Sequence, residues 1–478
     1  MDKDFKLASQ LLTLLDTEKR WFTLAEIEKK LGISDKTIRK MVEEISKQLP
    51  PSIIIEVFRG KGVLLQRDGH STTISEVISI MFRQTTFYRL MHLLFTKEGQ
   101  LTLEELADAM FMSTSSLKKL IIQLNNNDLK PYNLRISHAS PTVKGNEIHI
   151  RYFYWKLYCD AYDFTGWPFA RIDFTFINQL ITTIESEENI IFFINSKRRL
   201  TFLVAIVLER IHSERYVNIT DNHYPWERGI FYRPVSNFAK SLEKMTTVTW
   251  TKSELLFMQS MFSLSQYNYY DGTNSARSKE VELRKSKEEF LMVNQFLALL
   301  LRHYPNLDMK ERFVLEVYEF FDKLLIDNAI PEWMAISKNN LTEYVQKECL
   351  QIYQEMQACM QMWTALHPSV IYNDSHLVKL TLLVSSSLRY KSKKAFLVIG
   401  EEFSIRHYVA KLIKKEIGDD LIVNTSIMKE LTDDIVKQHE IDFVISNFPI
   451  ALSDVPVVII STIPTKKDLE NIRKELLL

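Results

Sequence analysis

The chain has 478 residues, with 60 lysines and arginines against 60 aspartates and glutamates, and its length exceeds what one hydrophobic core supports. Balanced charge excludes a histone-like or membrane-surface polycation, so any nucleic-acid site must be local. A hydrophobic share of 46% with 25% charged residues excludes a disordered chain.

Only 11 residues are glycine, roughly a third of the usual share of about 7%, which favours helix. The cysteines, Cys159, Cys349 and Cys359, are too far apart for a zinc pair or a framework of bridges, so a reducing compartment is expected. The opening MDKDFKLASQLLTLLD has no basic region followed by a long apolar run. No window reaches the roughly 18 apolar residues of a membrane span. These features predict a cytoplasmic chain, neither secreted nor inserted in a membrane.

Residues 22 to 46, FTLAEIEKKLGISDKTIRKMVEEIS, are echoed without a gap at 101 to 125, LTLEELADAMFMSTSSLKKLIIQLN. In the first copy Leu24, Ile27 and Leu31 share a helical face, Gly32 breaks the helix, and Ile38, Met41, Val42 and Ile45 line a second one. Gly32 suits a left-handed turn, and Ser34 suits the start of the next helix. The pattern predicts a helix-turn-helix whose second helix enters the DNA major groove. Lys36, Thr37, Arg39 and Lys40 then point outward at the positions that meet bases and phosphates. Residues 53 to 65, IIIEVFRGKGVLL, predict a wing of two strands with Arg59 and Lys61 at its basic tip. Residues 1 to 67 carry 13 basic against 10 acidic side chains, so placement and not quantity carries this reading.

The second copy keeps the apolar register through Leu103, Leu106, Met110, Leu117, Leu120, Ile121 and Leu124. Thr23, Leu24 and Glu26 recur as Thr102, Leu103 and Glu105, Ser34 as Ser113, and Lys40 as Lys119. Phe111 replaces the turn glycine, and the outward residues are Ser115, Ser116, Lys118 and Lys119. A second wing is expected over 134 to 150, with Lys144 echoing Lys61. An amphipathic helical hairpin with a solvated face is the competing reading; the duplication and the wing after each copy favour DNA binding.

Residues 151 to 171 are rich in aromatics, and Gly166-Trp167-Pro168-Phe169 predicts a turn at a domain boundary. From 172 to 390 the periodicity is almost wholly helical, with the polar stretch 267 to 280 expected as a loop dividing two bundles. KAFLVIG (394 to 400), DFVISN (442 to 447) and VPVVIIS (455 to 461) predict buried strands. Helices near 404 to 416, 427 to 438 and 466 to 477 complete a small parallel α/β domain. No phosphate loop, HExxH, GxSxG or dinucleotide turn occurs. His212 and His303 read as packing or surface residues.

Taken together, the chain resembles the Mga/AtxA class of virulence transcription regulators from Gram-positive bacteria. The resemblance rests on the tandem helix-turn-helix, with SDKTIRK at 34 to 40 and RGKG at 59 to 62, then GWPF, SKRRL at 196 to 200 and IPTKKDLENIRK at 463 to 474. It implies a mainly α, multidomain fold: winged helix-turn-helix domains at 1 to 68 and 69 to 160, and helical phosphotransferase-system (PTS) regulation domains at 172 to 283 and 284 to 390. A parallel α/β domain like phosphotransferase component IIB follows at 391 to 478.

The resemblance further implies a DNA-binding activator that is no enzyme and needs no cofactor. Its partners would be double-stranded DNA, a second copy through the C-terminal half, and phosphotransferase-system proteins. Relatives carry phosphoacceptors at or near Arg198, His376 and Phe403; the arginine and phenylalanine accept no phosphate. Two alternatives stay open: a phosphotransferase component, which predicts a cysteine or histidine after the first C-terminal strand, and an RNA-binding antiterminator sharing the regulation domains.

Overall fold

The computed structural model describes residues 3–67, 72–162, 165–219, 229–245, 248–269, 287–305, 307, 309–330, 332, 341–388, 392–418, 421–425 and 431–477. The chain divides into two compact units, residues 1–303 with 309–385, and residues 304–308 with 386–478.

The first unit opens with α1 (Lys3–Asp16), α2 (Leu24–Leu31), α3 (Asp35–Ser46), the hairpin β1 (Ile53–Phe58) and β2 (Gly62–Arg67), and α4 (Ile74–Gln84). Leu11, Leu12, Phe22, Ile27, Ile38 and Val42 close a core of their own beneath these elements. Next come α5 (Thr86–Thr96), α6 (Leu103–Ala109), α7 (Thr114–Asn127), the short pair β3 (Arg135–Ile136) and β4 (Val143–Lys144), and α8 (Glu147–Tyr162).

The helical stretch that follows comprises α9 (Phe174–Glu188), β5 (Ile190–Phe192), α10 (Ile194–His212), α11 (Tyr232–Met245), α12 (Lys252–Leu264) and β6 (Tyr267–Tyr269). It continues through α13 (Lys287–His303), α14 (Glu311–Ala329), α15 (Thr342–Glu348), α16 (Leu350–Leu366) and α17 (Asp374–Ser387). One feature departs from the sequence reading. Residues 267 to 269, expected as loop, form an antiparallel strand against Ile190–Phe192; the rest of that expected loop lies outside the described residues. The aromatic segment before residue 171 is packed inside. Tyr154, Tyr158, Ala161 and Phe169 are buried in a core that runs without a break from Phe82 to Ile330. Arg198 spans the turn, its Nη2 donating to the Gly166 carbonyl at 2.9 Å.

Charge is buried in that core. Arg151, with no side-chain exposure, makes two bonds of 2.6 and 2.8 Å to Glu254, which is equally sealed. Glu147 accepts from both Arg151 and Arg210, and Glu98 accepts from Arg210 at 2.6 Å. Burial of three carboxylates is tolerable because three guanidiniums, those of Arg151, Arg210 and Arg215, meet them. The three cysteines are free, and burial pushes the Cys159 thiol up to about 12.

The second unit contains β7 (Lys393–Val398), α18 (Phe403–Ile417), β8 (Leu421–Asn424), α19 (Asp433–Gln438), β9 (Phe443–Ser446), β10 (Val457–Ile459) and α20 (Lys466–Leu477). Its four strands are all parallel, in the order β10-β9-β7-β8. The expected strands and the closing helix are present; β8 was missed, and the helix expected from 427 is described only from Asp433.

Arg151→Met leaves Glu254 buried against an apolar side chain, and a loss of about 3 kcal/mol or more is expected in urea unfolding of the intact chain. The double change Arg151→Met with Glu254→Met recovers most of it; a single-variant cost below about 1 kcal/mol would refute the role given to the pair.

Candidate nucleic-acid interface

Each helix-turn-helix is started by the same local devices. Thr23 Oγ1 accepts from the Glu26 amide while the Glu26 carboxylate accepts from the Thr23 amide, a reciprocal capping box on α2. Thr102 and Glu105 repeat it on α6. The amide of Thr23 and then its hydroxyl hold the Glu26 carboxyl below its usual range, and Thr102 does the same for Glu105. Ser34 and Ser113 cap α3 and α7, accepting from the amides of Thr37 and Ser116 at 3.3 and 3.2 Å. Of the polar residues that recur between the two copies, Thr23, Glu26 and Ser34 begin helices, and Lys40 recurs on the exposed face.

The turn is also kept, although its residue changes. Gly32 ends α2 at φ +66°, and Phe111 adopts φ +55° at the same place. Left-handed backbone costs a residue with a Cβ about 1–2 kcal/mol. Phe111 gains no burial in exchange, being 88% exposed, and its ring faces the Arg89 guanidinium at 5.9 Å.

Ile38, Met41, Val42 and Ile45 are buried, which turns Lys36, Thr37, Arg39 and Lys40 to solvent. Arg39 Nε reaches Asp35 at 2.7 Å and Lys40 reaches Glu44 at 3.7 Å. Such exposed pairs contribute about 0–1 kcal/mol, so a phosphate can displace the carboxylates. The Ser34 hydroxyl lies 2.9 Å from that of Thr37, which ties both to the helix start. On α7, Ser115, Ser116, Lys118 and Lys119 are exposed as expected, with the two serine hydroxyls bonded to Ser113.

In the first wing Phe58 pairs with Gly62, leaving Arg59, Gly60 and Lys61 as the exposed tip. The Lys61 ammonium sits over the rings of Trp21 and Phe58 at 5.8 and 5.2 Å, while Arg59 projects from the tip. Phe22 and Val63 exchange backbone bonds of 2.8 and 2.9 Å, which docks the wing against the entry to α2. Gly62, at φ +108°, makes that approach feasible, since a Cβ there would lie 2.0 Å from the Phe22 carbonyl oxygen.

The second wing is smaller than expected. Its strands end at Lys144, which is exposed, and residues from 147 belong to α8, where Ile148 and Ile150 are buried. Asn125 was missed by sequence reasoning. Its side chain donates to the Ile136 carbonyl and accepts from the Ile136 amide, at 3.0 and 2.7 Å, clamping the wing onto α7. An asparagine late in an otherwise amphipathic helix was the available signal.

The three residues expected at or near phosphoacceptor positions are dispersed. Arg198 lies over the rings of Phe174 and Phe202. His376 is buried, its Nε2 2.9 Å from Asp327 Oδ2. Phe403 starts α18, exposed and stacked on His407. Among the described residues no group of histidine, cysteine, aspartate or glutamate has a metal-holding arrangement, and no helix is long and apolar enough to cross a membrane.

Two successive helix-turn-helix units, each followed by a wing and each exposing the N-terminal half of its second helix, define a DNA-binding transcription regulator. Residues 2–61 match the M protein trans-acting positive regulator (MGA) helix-turn-helix domain, and residues 70–158 match the Mga helix-turn-helix domain. The chain is also similar over its length to three proteins of Bacillus anthracis. Capsule synthesis positive regulator AcpB is 26% identical, covering 99% of this chain and 98% of the relative. Capsule synthesis positive regulator AcpA is 28% identical with 98% of each covered, and the anthrax toxin expression trans-acting positive regulator is 24% identical with 99% and 98% covered. In its helix-turn-helix domains and along its length the chain is similar to virulence transcription regulators of the Mga/AtxA type.

Phe111→Gly removes backbone strain without removing a core side chain, so the second helix-turn-helix should gain about 1 kcal/mol in denaturant unfolding. Gly32→Ala, whose Cβ meets nothing, should cost about 1 kcal/mol, and Gly62→Ala, which displaces the Phe22–Val63 pairing, distinctly more. Equal costs at the two glycines would remove the argument for close approach at the wing.

Proposed function

We propose that the chain activates transcription as a cytoplasmic homodimer that binds double-stranded DNA through both helix-turn-helix units. The observation that carries this reading is the first unit's exposed face, where Lys36, Thr37, Arg39 and Lys40 flank a helix start capped by Ser34. In the major groove these residues meet base edges and phosphates, while Arg59 and Lys61 reach an adjacent groove or backbone. Ser115, Ser116, Lys118, Lys119 and Lys144 extend the footprint. Four units per dimer require a long site, and a set of interactions dominated by phosphates leaves much of its specificity to DNA shape. Activation is the role named for the relatives, each of which is called a positive regulator.

The domains proposed are the two readers at 1 to 68 and 69 to 160, two helical PTS-regulation domains at 172 to 283 and 284 to 390, and an α/β domain at 391 to 478. The wholly parallel sheet of the last supports likeness to phosphotransferase component IIB. The residues after β7, Ile399 to Phe403, include no cysteine or histidine, so interaction and not phosphate transfer is its task. Exposed Phe403, Tyr408, Ile422 and Ile459 supply apolar surface for association of the C-terminal half. Phosphotransferase-system proteins remain proposed partners through the helical domains.

Duplex binding across a salt series tests the reading with the intact chain and a Lys36, Arg39, Lys40 triple alanine variant. Affinity should fall, and the salt slope should become shallower by about 0.9 for each DNA phosphate that the variant no longer neutralises. A folded variant that binds unchanged would transfer the reading role to α7. Preference for an RNA hairpin over duplex DNA would favour an antiterminator.

A further inference from the structure

The helices of the regulatory region enclose a cavity of about 280 Å³ with walls from α8, α10, α12, α14 and α17. Its size approaches the roughly 300 Å³ at which small-molecule sites begin. Three cationic side chains, Arg199, Lys323 and Lys379, border this one space, and Asp327 is the carboxylate in its wall. Arg199 and Lys379 are exposed, whereas Asp327 is only 5% exposed.

Asp327 is half satisfied. Its Oδ2 bonds His376 Nε2 at 2.9 Å, but Oδ1 is buried with no hydrogen-bond partner. An orphaned buried carboxylate oxygen is costly, and a ligand hydroxyl donating to it would remove that cost. The cations present the complementary demand, since three positive groups around a small space attract a dianion with several acceptor oxygens. Trp155 adds a flat apolar surface beside them, its Nε1 held by the Arg199 carbonyl at 3.0 Å.

We propose that this cavity binds a small hydroxylated phosphomonoester, of the chemical class of a sugar phosphate. Arg199, Lys323 and Lys379 hold the phosphate, Asp327 accepts from a hydroxyl, and Trp155 covers an apolar face of the carbon skeleton. No covalent step is involved. Because Arg199 lies on α10 whereas Lys323, Asp327 and Lys379 lie on α14 and α17, the bound molecule would tie the two halves of the helical region together. This inference is independent of the DNA-reading proposal.

Calorimetric titration of the full chain without DNA tests it, with glucose 6-phosphate, inorganic phosphate and glucose as separate arms. Glucose 6-phosphate should bind saturably, about tenfold or more tighter than inorganic phosphate, and glucose should give no measurable heat. Arg199→Glu with Lys379→Glu, both on the exposed rim, should abolish binding while unfolding like the parent. Asp327→Asn should weaken glucose 6-phosphate and leave inorganic phosphate unchanged. Absence of saturable binding by either phosphate, or affinity indifferent to the charge reversals, would overturn the site. Inorganic phosphate binding as tightly as glucose 6-phosphate would overturn the assignment of a hydroxylated ligand.

Discussion

The sealed contact between Arg151 and Glu254 is the constraint on which the larger unit depends. Two charges without exposure survive inside a protein only when each meets the other and the remaining donors and acceptors are also used. Here the partners stand 103 residues apart, one on the helix that closes the second reader and one in the helical region. Glu147 and Glu98 extend the network through Arg210, so the buried charge of each half is met in part by the other. The DNA-reading end and the helical region are therefore assembled as one body, and α8 is the wall they share. A ligand that stiffens α10 acts on a helix already bonded to that wall.

The duplicated reader was legible because its information is local. Capping residues, a turn that demands left-handed backbone and an apolar stripe all lie within one copy of the repeat, and each recurs at the same offset. What stayed hidden was non-local. The docking of the wing by Phe22 and Val63 depends on a strand pairing across some 40 residues, and Asn125 acts only once a wing stands beside it. The strand at 267 to 269 is three residues long and has meaning only against residues 190 to 192. β8, an edge strand of four residues, offers only the three-residue apolar run Leu421 to Val423. At Phe111 the turn glycine is replaced and the turn is kept, with left-handed backbone at a residue whose side chain is exposed.

At the positions where the family resemblance leads one to expect phosphoacceptors, this chain has other physical work for its side chains. Arg198 binds a turn carbonyl and lies over two aromatic rings. His376 is buried, with its Nε2 already engaged by Asp327 at 2.9 Å. Positive charge has instead gathered around the nearby cavity, an arrangement suited to holding a free anion reversibly. In the second unit, Gly400 donates to Asn447 Oδ1 at 3.0 Å, tying the loops after β7 and β9 at the point where the strand order reverses. Neighbouring Phe403 and Phe448 leave that edge apolar.

The unbroken core around residues 161 to 169 also bears on modularity. Regulators of many kinds can be cut into a reader and a sensor, because a flexible tether joins domains that are each complete. Here a fragment ending just after α8 would lose Glu254 and Arg210 together, uncovering Tyr154, Tyr158 and a guanidinium that has no route to water in the whole protein. Such a fragment is an incomplete fold and not a freed DNA-binding head. For this chain, genetic dissection by truncation would report on solubility before it reported on control.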